Sequence, residues 1–283
     1  MTELAYSYDD ILLYPQQGVV ASRGDVDTSA YIGKFYMNMP IFSSPMETVT
    51  GLEMAYAMAA RGCVGVMHRF GPPSLLDEWV YLVRAKYPAM PVAVAIGYDD
   101  WGNVGIDADI HVLDVAHADT APMLRYIDAI KARHPNKILV AGSVATYNGA
   151  RRLFNAGADV LRVGIGAGAA CTTRTKTGFG VPMVTSIEEC ASVAKSFGKK
   201  IIADGGIKNS GDVVKALAVG ADFVMIGRML AGTKEAPKGR QYFGQASSMS
   251  SAYNGRYEEG AVGEVEDQGT VYEVLTQIED GLR

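Results

Sequence analysis

Apolar residues along this chain fall into short continuous runs, separated by longer stretches in which they recur every three or four positions. Runs of four to eight apolar residues bounded by glycine, proline and polar clusters read as strands buried on both faces. Such runs occupy residues 40–46, 63–68, 92–97, 110–116, 137–144, 160–166, 200–207 and 223–227. Helical periodicity fills the intervals, as at 51–61 and 211–220. Eight buried strands alternating with helices predict a closed parallel α/β barrel, the TIM (β/α)8 fold, over an open sheet. The glycine fingerprint of a dinucleotide-binding open sheet does not follow the first strand. One such barrel accounts for residues 1–283 as a single catalytic domain. Functional groups of these barrels sit at the carboxyl ends of the strands, so the polar residues that close each run are the candidates.

The sixth run ends in Gly164-Ile165-Gly166-Ala167-Gly168-Ala169-Ala170-Cys171-Thr172-Thr173-Arg174. Alternate glycines open the backbone where φ must be positive or where another group approaches the main chain closely. A lone cysteine follows, beside two threonine hydroxyls and an arginine. A polar, cationic setting favours the thiolate, which is the nucleophilic form. Two readings stand: a glycine-rich turn with a buried cysteine, and a loop that presents a nucleophile. Asp114 lies near the carboxyl end of the fourth run, where a carboxylate can bind ribose hydroxyls. Gly205-Gly206 and Gly227 close the last two runs, where barrels hold phosphate on backbone amides and a helix N-terminus.

Composition narrows the function classes. The chain has 283 residues, 48% hydrophobic and 20% charged, enough for one large core. Net charge is −5 with dispersed basic residues, which argues against a nucleic-acid partner. No apolar run reaches the roughly 18 residues that span a bilayer, and the first residues lack a signal pattern. Three cysteines, Cys63, Cys171 and Cys190, are too few and too scattered for a disulfide framework or a zinc site. Cys63 reads as a small buried hydrophobe. The expected compartment is a reducing cytoplasm, which a reactive thiol requires.

The run GIGAGAACTTRTKTGFGVP resembles the catalytic loop of the inosine-5′-monophosphate dehydrogenase and guanosine-5′-monophosphate reductase family, and the similarity extends over nearly the whole chain. The opening Tyr8-Asp9-Asp10-Ile11-Leu12-Leu13-Tyr14-Pro15 and the following Ser22-Arg23-Gly24-Asp25 are also similar to that family. The resemblance implies a homotetramer that binds a purine nucleoside monophosphate at the barrel mouth. It places Ser44, Met46, Asp204, Gly205, Gly206, Gly227, Arg228, Tyr242, Gly244, Gln245, Ser247, Arg256 and Gly260 on that nucleotide. It places Ser22, Arg23, Arg69, Asp114, Val115, Ala116, Gly164 and Gly166 on a nicotinamide dinucleotide, NADPH or NADH, with Ser22 and Arg23 reaching a neighbouring subunit's dinucleotide. Gly166, Gly168, Cys171 and Arg174 match ligands of a monovalent cation, K+. Dehydrogenases of the family often insert a regulatory, CBS-type domain pair after the second strand. Here Phe70-Gly71-Pro72-Pro73 runs straight into a helical pattern, so the insert is expected to be absent. Family members continue beyond the position of Arg283, with residues that help to hold the dinucleotide.

Several positions depart from the family. Ala169 stands where a phosphate-binding hydroxyl is usual, and Gln245 where a methionine lies beside the purine. His117 follows Asp114-Val115-Ala116. Arg228 replaces glycine or serine, and reads either as a charge restored to the phosphate site or as an arginine in solvent.

The implied chemistry runs in two directions. In the reductase direction the Cys171 thiolate adds to C2 of a guanine nucleotide and ammonia leaves. Hydride from reduced nicotinamide then reaches C2 of the thioimidate, giving the inosine nucleotide. Departing ammonia needs a proton, hence an acid relay. The resemblance assigns it to Thr173 and Glu259, with Glu258 as the rival in register. In the dehydrogenase direction IMP is oxidised to XMP with NAD, and an Arg-Tyr pair on a flap activates water. Arg256-Tyr257 has those letters. Asp114-Val115-Ala116, Thr175-Lys176-Thr177-Gly178 and the short segment 247–257 favour the reductase. Asp204-Gly205-Gly206-Ile207 and Ala231-Gly232-Thr233-Lys234-Glu235-Ala236-Pro237 are closer to the dehydrogenase. The expectation is a GMP reductase-like enzyme acting on GMP or a variant such as dGMP. The alternatives are an IMP dehydrogenase and a catalytically silent purine-nucleotide-binding protein.

Overall fold

The eight apolar runs become the eight strands of one closed, all-parallel barrel in a computed structural model of the chain, which describes residues 4–251 and 260–283. Ahead of the barrel, β1 (Ala30–Ile32) and β2 (Phe35–Met37) pair as an antiparallel hairpin. The barrel strands follow as β3 (Ile41–Ser43), β4 (Val64–Met67), β5 (Ala93–Ile96), β6 (Ile110–Asp114), β7 (Ile138–Val144), β8 (Val160–Val163), β9 (Lys200–Asp204) and β10 (Phe223–Ile226). Closure is by β10 on β3, with Val224 opposite Ile41 and Ile226 opposite Ser43. A last antiparallel pair, β11 (Gln241–Phe243) and β12 (Val262–Glu264), follows the barrel strands in sequence.

Several runs outlast their strands. Those at 160–166 and 200–207 stop pairing at Val163 and Asp204. Gly164 and Gly205 follow with φ of +146° and +109°, a region that ends an L-residue ladder.

The described helices are α1 (Leu52–Ala60), α2 (Pro73–Lys86), α3 (Trp101–Val104), α4 (Ala121–Arg133), α5 (Tyr147–Asn155), α6 (Thr173–Thr177), α7 (Met183–Phe197), α8 (Ser210–Ala218) and α9 (Val271–Leu282). Four of them start on a side-chain cap of threonine or asparagine. Thr120, Thr146 and Asn209 accept from the Met123, Gly149 and Asp212 amides, and Thr270 forms a capping box with Glu273. Each such cap stabilises by about 1 kcal/mol. Apolar periodicity predicts neither α3, a single turn between β5 and β6, nor α6, whose five residues are all polar.

Side chains alternate across each strand, so the barrel has two apolar layers. Phe42, Val66, Ala95, Val112, Val140, Ile202 and Phe223 pack together with Ile32 and Met37 of the hairpin. Phe42 and Phe223 meet edge to face with ring centroids 5.5 Å apart. Ile41, Leu113, Leu139, Leu161, Ile201 and Val224 join the larger cluster with α4, α5, α7, α8 and α9. Among the described residues no helix is long and apolar enough to cross a membrane.

Candidate active site

The mouth of the barrel is built from loops that touch through their backbones. After β8 the chain turns at Gly164 and at Gly166 (φ +80°) to reach Cys171, and α6 starts two residues later. A Cβ on Gly164 would collide with the Asp204 carbonyl oxygen, and one on Gly205 would lie 3.1 Å from the Gly168 nitrogen. These glycines therefore let the loops after β8 and β9 pack main chain to main chain. Further along, the Ala261 amide donates to the Ala170 carbonyl at 2.8 Å, and Cys171 pairs with Gly260 in an isolated antiparallel bridge. A Cβ on Gly244 would lie 2.9 Å from Gly260 Cα. Gly244 and Gly260, read from the sequence as nucleotide contacts, are thus also the points where the β11 and β12 segments close on the cysteine loop.

Cys171 is exposed, while Cys63 and Cys190 are buried. The reading of Cys171 as a buried turn residue does not hold. Its Sγ lies 3.2 Å from Thr173 Oγ1, and its amide donates to the Gly168 carbonyl at 3.0 Å. Burial pushes the Cys63 and Cys190 thiols up to about 12, so neither is a nucleophile near neutral pH.

Four residues expected on the nucleotide meet at one point. A Cβ on Gly227 would lie 3.3 Å from Ser44 Oγ, 3.4 Å from Met46 Sδ and 3.4 Å from the Tyr242 hydroxyl. Burial raises the Tyr242 phenol, the Asp204 carboxylate adds to this, and Arg228 opposes it. That phenol stays a neutral donor. Arg228 itself is exposed. Gln245 donates Nε2 to the Pro45 carbonyl at 2.7 Å, tying the β11 exit to the β3 exit. Ser247 is fully buried and its amide donates to the Gly244 carbonyl at 3.0 Å. Gly206 (φ +78°) rests on the buried ring of Tyr8, whose Cε2 would be 3.3 Å from an added Cβ. The turn after β10 is not the start of a helix: α9 begins only at Val271.

On the other side, Asp114 is buried at the end of β6. Its Oδ1 accepts from Arg162 Nη1, and its Oδ2 lies 3.9 Å from Arg69 Nε. Asp204 accepts from Arg162 Nε at 2.6 Å. Both carboxylates expected on ligands are therefore held by one arginine of β8, which the sequence reading missed. The available signal was a charge inside an apolar strand run. The Val115 amide donates to the Gly142 carbonyl at 3.3 Å, Ala116 is exposed, and the Arg69 guanidinium sits 4.6 Å from the Phe70 ring centroid. Ser22 and Arg23 lie in an exposed turn where the Gly24 amide donates to Ser22 Oγ, and none of their described hydrogen bonds reaches the mouth. Arg256 and Glu259, with Tyr257 and Glu258, lie outside the described residues.

Of the residues matched to a cation, Gly166 is buried, Gly168 and Cys171 are exposed, and Arg174 packs its Cγ where a Gly166 Cβ would stand, 2.7 Å away. Among the described residues no cluster of three or more His, Cys, Asp or Glu side chains suits a metal ion.

Comparison with known proteins agrees with this architecture. A GMP reductase of Levilactobacillus brevis is 34% identical over 298 aligned positions, covering 98% of this chain and 88% of the relative. A GMP reductase of Bacillus licheniformis is 32% identical, covering 99% and 90%. An inosine-5′-monophosphate dehydrogenase of Streptococcus pyogenes is 45% identical over 199 positions, covering 62% of this chain and 40% of the relative. The profile described as "IMP dehydrogenase / GMP reductase domain" matches residues 5–283, and the chain belongs to that family.

Proposed function

We propose that the chain is a GMP reductase-like oxidoreductase that converts GMP, or a close variant such as dGMP, to the inosine nucleotide with NADPH. The observation that carries this reading is the exposed Cys171 thiol, 3.2 Å from the Thr173 hydroxyl, on a loop packed against Asp204 and Gly205. Nearly full-length relatives named GMP reductase support it.

In this reading Asp204 holds the ribose, Gly205, Gly206, Gly227, Arg228 and Tyr242 hold the phosphate, and Ser44, Met46, Gln245 and Ser247 frame the purine. Cys171 sulfur bonds to C2 as the C2 amino group departs. The Thr173 hydroxyl, with Glu259, relays the proton that makes ammonia a competent leaving group. The C2–S bond then breaks as hydride arrives at C2, and the thiolate is restored. Arg69 and Asp114 fit a polar dinucleotide: Arg69 Nε and Asp114 Oδ2 are buried with no hydrogen-bond partner among the described residues. When bound, the dinucleotide supplies the hydride. The same reading includes a homotetramer in a reducing cytoplasm, K+ at the Gly166, Gly168, Cys171 and Arg174 positions, and one barrel domain without a regulatory insert. Only residues 68–72 separate β4 from α2, which supports the last point.

The test is NADPH oxidation on mixing the protein with GMP. Turnover that Cys171→Ala abolishes, with GMP binding retained, is the expected result. No oxidation with GMP, dGMP or related purine nucleotides removes the proposal. One observation favours a second reading, since the highest identity quoted above is to a dehydrogenase. Formation of XMP from IMP and NAD would establish it, and nucleotide binding without turnover in either direction would leave a silent binding protein.

A further inference from the structure

A row of alternating charge crosses the barrel mouth, anchored on a residue to which none of these roles has been given. Arg162 projects from β8 and donates Nε to Asp204 Oδ2 at the end of β9, 2.6 Å away. Its Nη1 donates to Asp114 Oδ1 at the end of β6. Reaching β6 from β8 means passing over β7. The β7 residue paired with both Asp114 and Arg162 is Gly142. A Cβ on Gly142 would lie 2.6 Å from Arg162 Cβ, so the missing side chain clears the path. Beyond Asp114 stands Arg69, its Nε 3.9 Å from Oδ2. The Arg162, Asp114 and Asp204 side chains are 13%, 3% and 14% exposed. At that burial, removing one partner leaves a charge uncompensated. Burial alone would weaken proton binding by Arg162, yet the Asp204 and Asp114 carboxylates outweigh it and hold the guanidinium above its ordinary value.

We propose that Arg162 is a two-sided positioning residue, fixing the carboxylate that meets the nucleotide ribose and the carboxylate on the dinucleotide side as one unit. The proposal rests on the assignment of Asp204 to the nucleotide and Asp114 to the dinucleotide made under the proposed function. Arg162 bonds one oxygen of each carboxylate, and the second oxygen of Asp114 faces Arg69 without a hydrogen-bond partner among the described residues. A planar fork offers two carboxylates donors on different edges in fixed directions, which a single ammonium nitrogen does not. Both ligands then depend on one guanidinium, although each depends on its own carboxylate.

Calorimetric titration of the full chain with GMP and, separately, with NADPH reads this without turnover. D204N should weaken GMP about tenfold and leave NADPH within about twofold, and D114N should do the reverse. R162M should weaken both by about tenfold, and R162M/D204N should bind GMP no worse than the weaker single variant. R162K keeps the buried charge without the fork and covers the case in which R162M fails to fold. It should weaken at least one ligand about fivefold at an unchanged Tm. Unchanged binding of both ligands to R162M, or to R162K where R162M does not fold, overturns the proposal, as does additivity of R162M with D204N. A wild-type chain that binds GMP and NADPH but transfers no hydride overturns the proposed reaction alone. One that binds neither overturns both.

Discussion

Replacing Gly164 by alanine tests the close approach on which the site is built. At φ +146° the new Cβ would collide with the carbonyl oxygen of Asp204 and lie 3.2 Å from Met183 Sδ. The obstacle is backbone and cannot rotate away, so the loop after β8 must move off the end of β9. Gly178 provides the comparison, with φ +77° and no described heavy atom within 4 Å of an added Cβ. Alanine there meets only the left-handed backbone penalty, about 1–2 kcal/mol. At Gly164, backbone strain combines with an overlap that only main-chain movement relieves, for a total of about 3–5 kcal/mol. At this chain length 1 kcal/mol moves Tm by about 2 °C, so G178A should lose about 2–4 °C and G164A about 6–10 °C. The same movement separates Cys171 from Asp204, and misplacement by about 1 Å can cost on the order of 100-fold in rate. Calorimetry and the GMP-dependent NADPH assay, run on both variants, check this. A G164A protein with the Tm and turnover of G178A would refute the idea that the Asp204 carbonyl fills the space.

Three further outcomes follow from single contacts. Iodoacetamide should label the native chain once, at Cys171, with Cys63 and Cys190 reacting only after unfolding; intact-mass spectra showing two or three native adducts contradict the burial of those thiols. Thr173→Val removes the hydroxyl 3.2 Å from Cys171 Sγ and should lower kcat about 100-fold with GMP affinity unchanged; equal losses in both would speak against a proton relay. His111 is held by burial at about 4 against an ordinary 6.5. Between those values the unfolded chain takes up a proton that the native chain refuses, so stability is complete above pH 6.5 and falls as the pH drops towards 4. The loss reaches about 3 kcal/mol, and His111→Gln should flatten Tm against pH in that window, whereas parallel curves for the two proteins would disprove the assignment.

Much of the barrel is legible from hydrophobicity because most strand residues are buried on both faces, which writes a predominantly apolar run into the chain. Strand ends are less so. The run at 200–207 resumes beyond Asp204 with Ile207, which is itself buried, yet pairing stops at Asp204. The stop lies in the backbone of Gly205, and apolarity does not report it. Similarly, α3 is a single capped turn, too short to show a period.

The site divides along the same line. Gly164, Gly166, Cys171 and Thr173 stand within one loop, and their spacing alone marks a thiol with a neighbouring hydroxyl. Arg162 shows only as a charge in an apolar strand, and its partners are 48 and 42 positions away. Gln245 meets Pro45 across 200 positions. By itself the sequence determined the strands, the glycine turns and the placing of a thiol beside a hydroxyl, because side-chain period and φ preference act between near neighbours. The tertiary structure alone decided which carboxylates share a guanidinium, because only a closed barrel brings the ends of β6, β8 and β9 within hydrogen-bond reach at a shielded mouth.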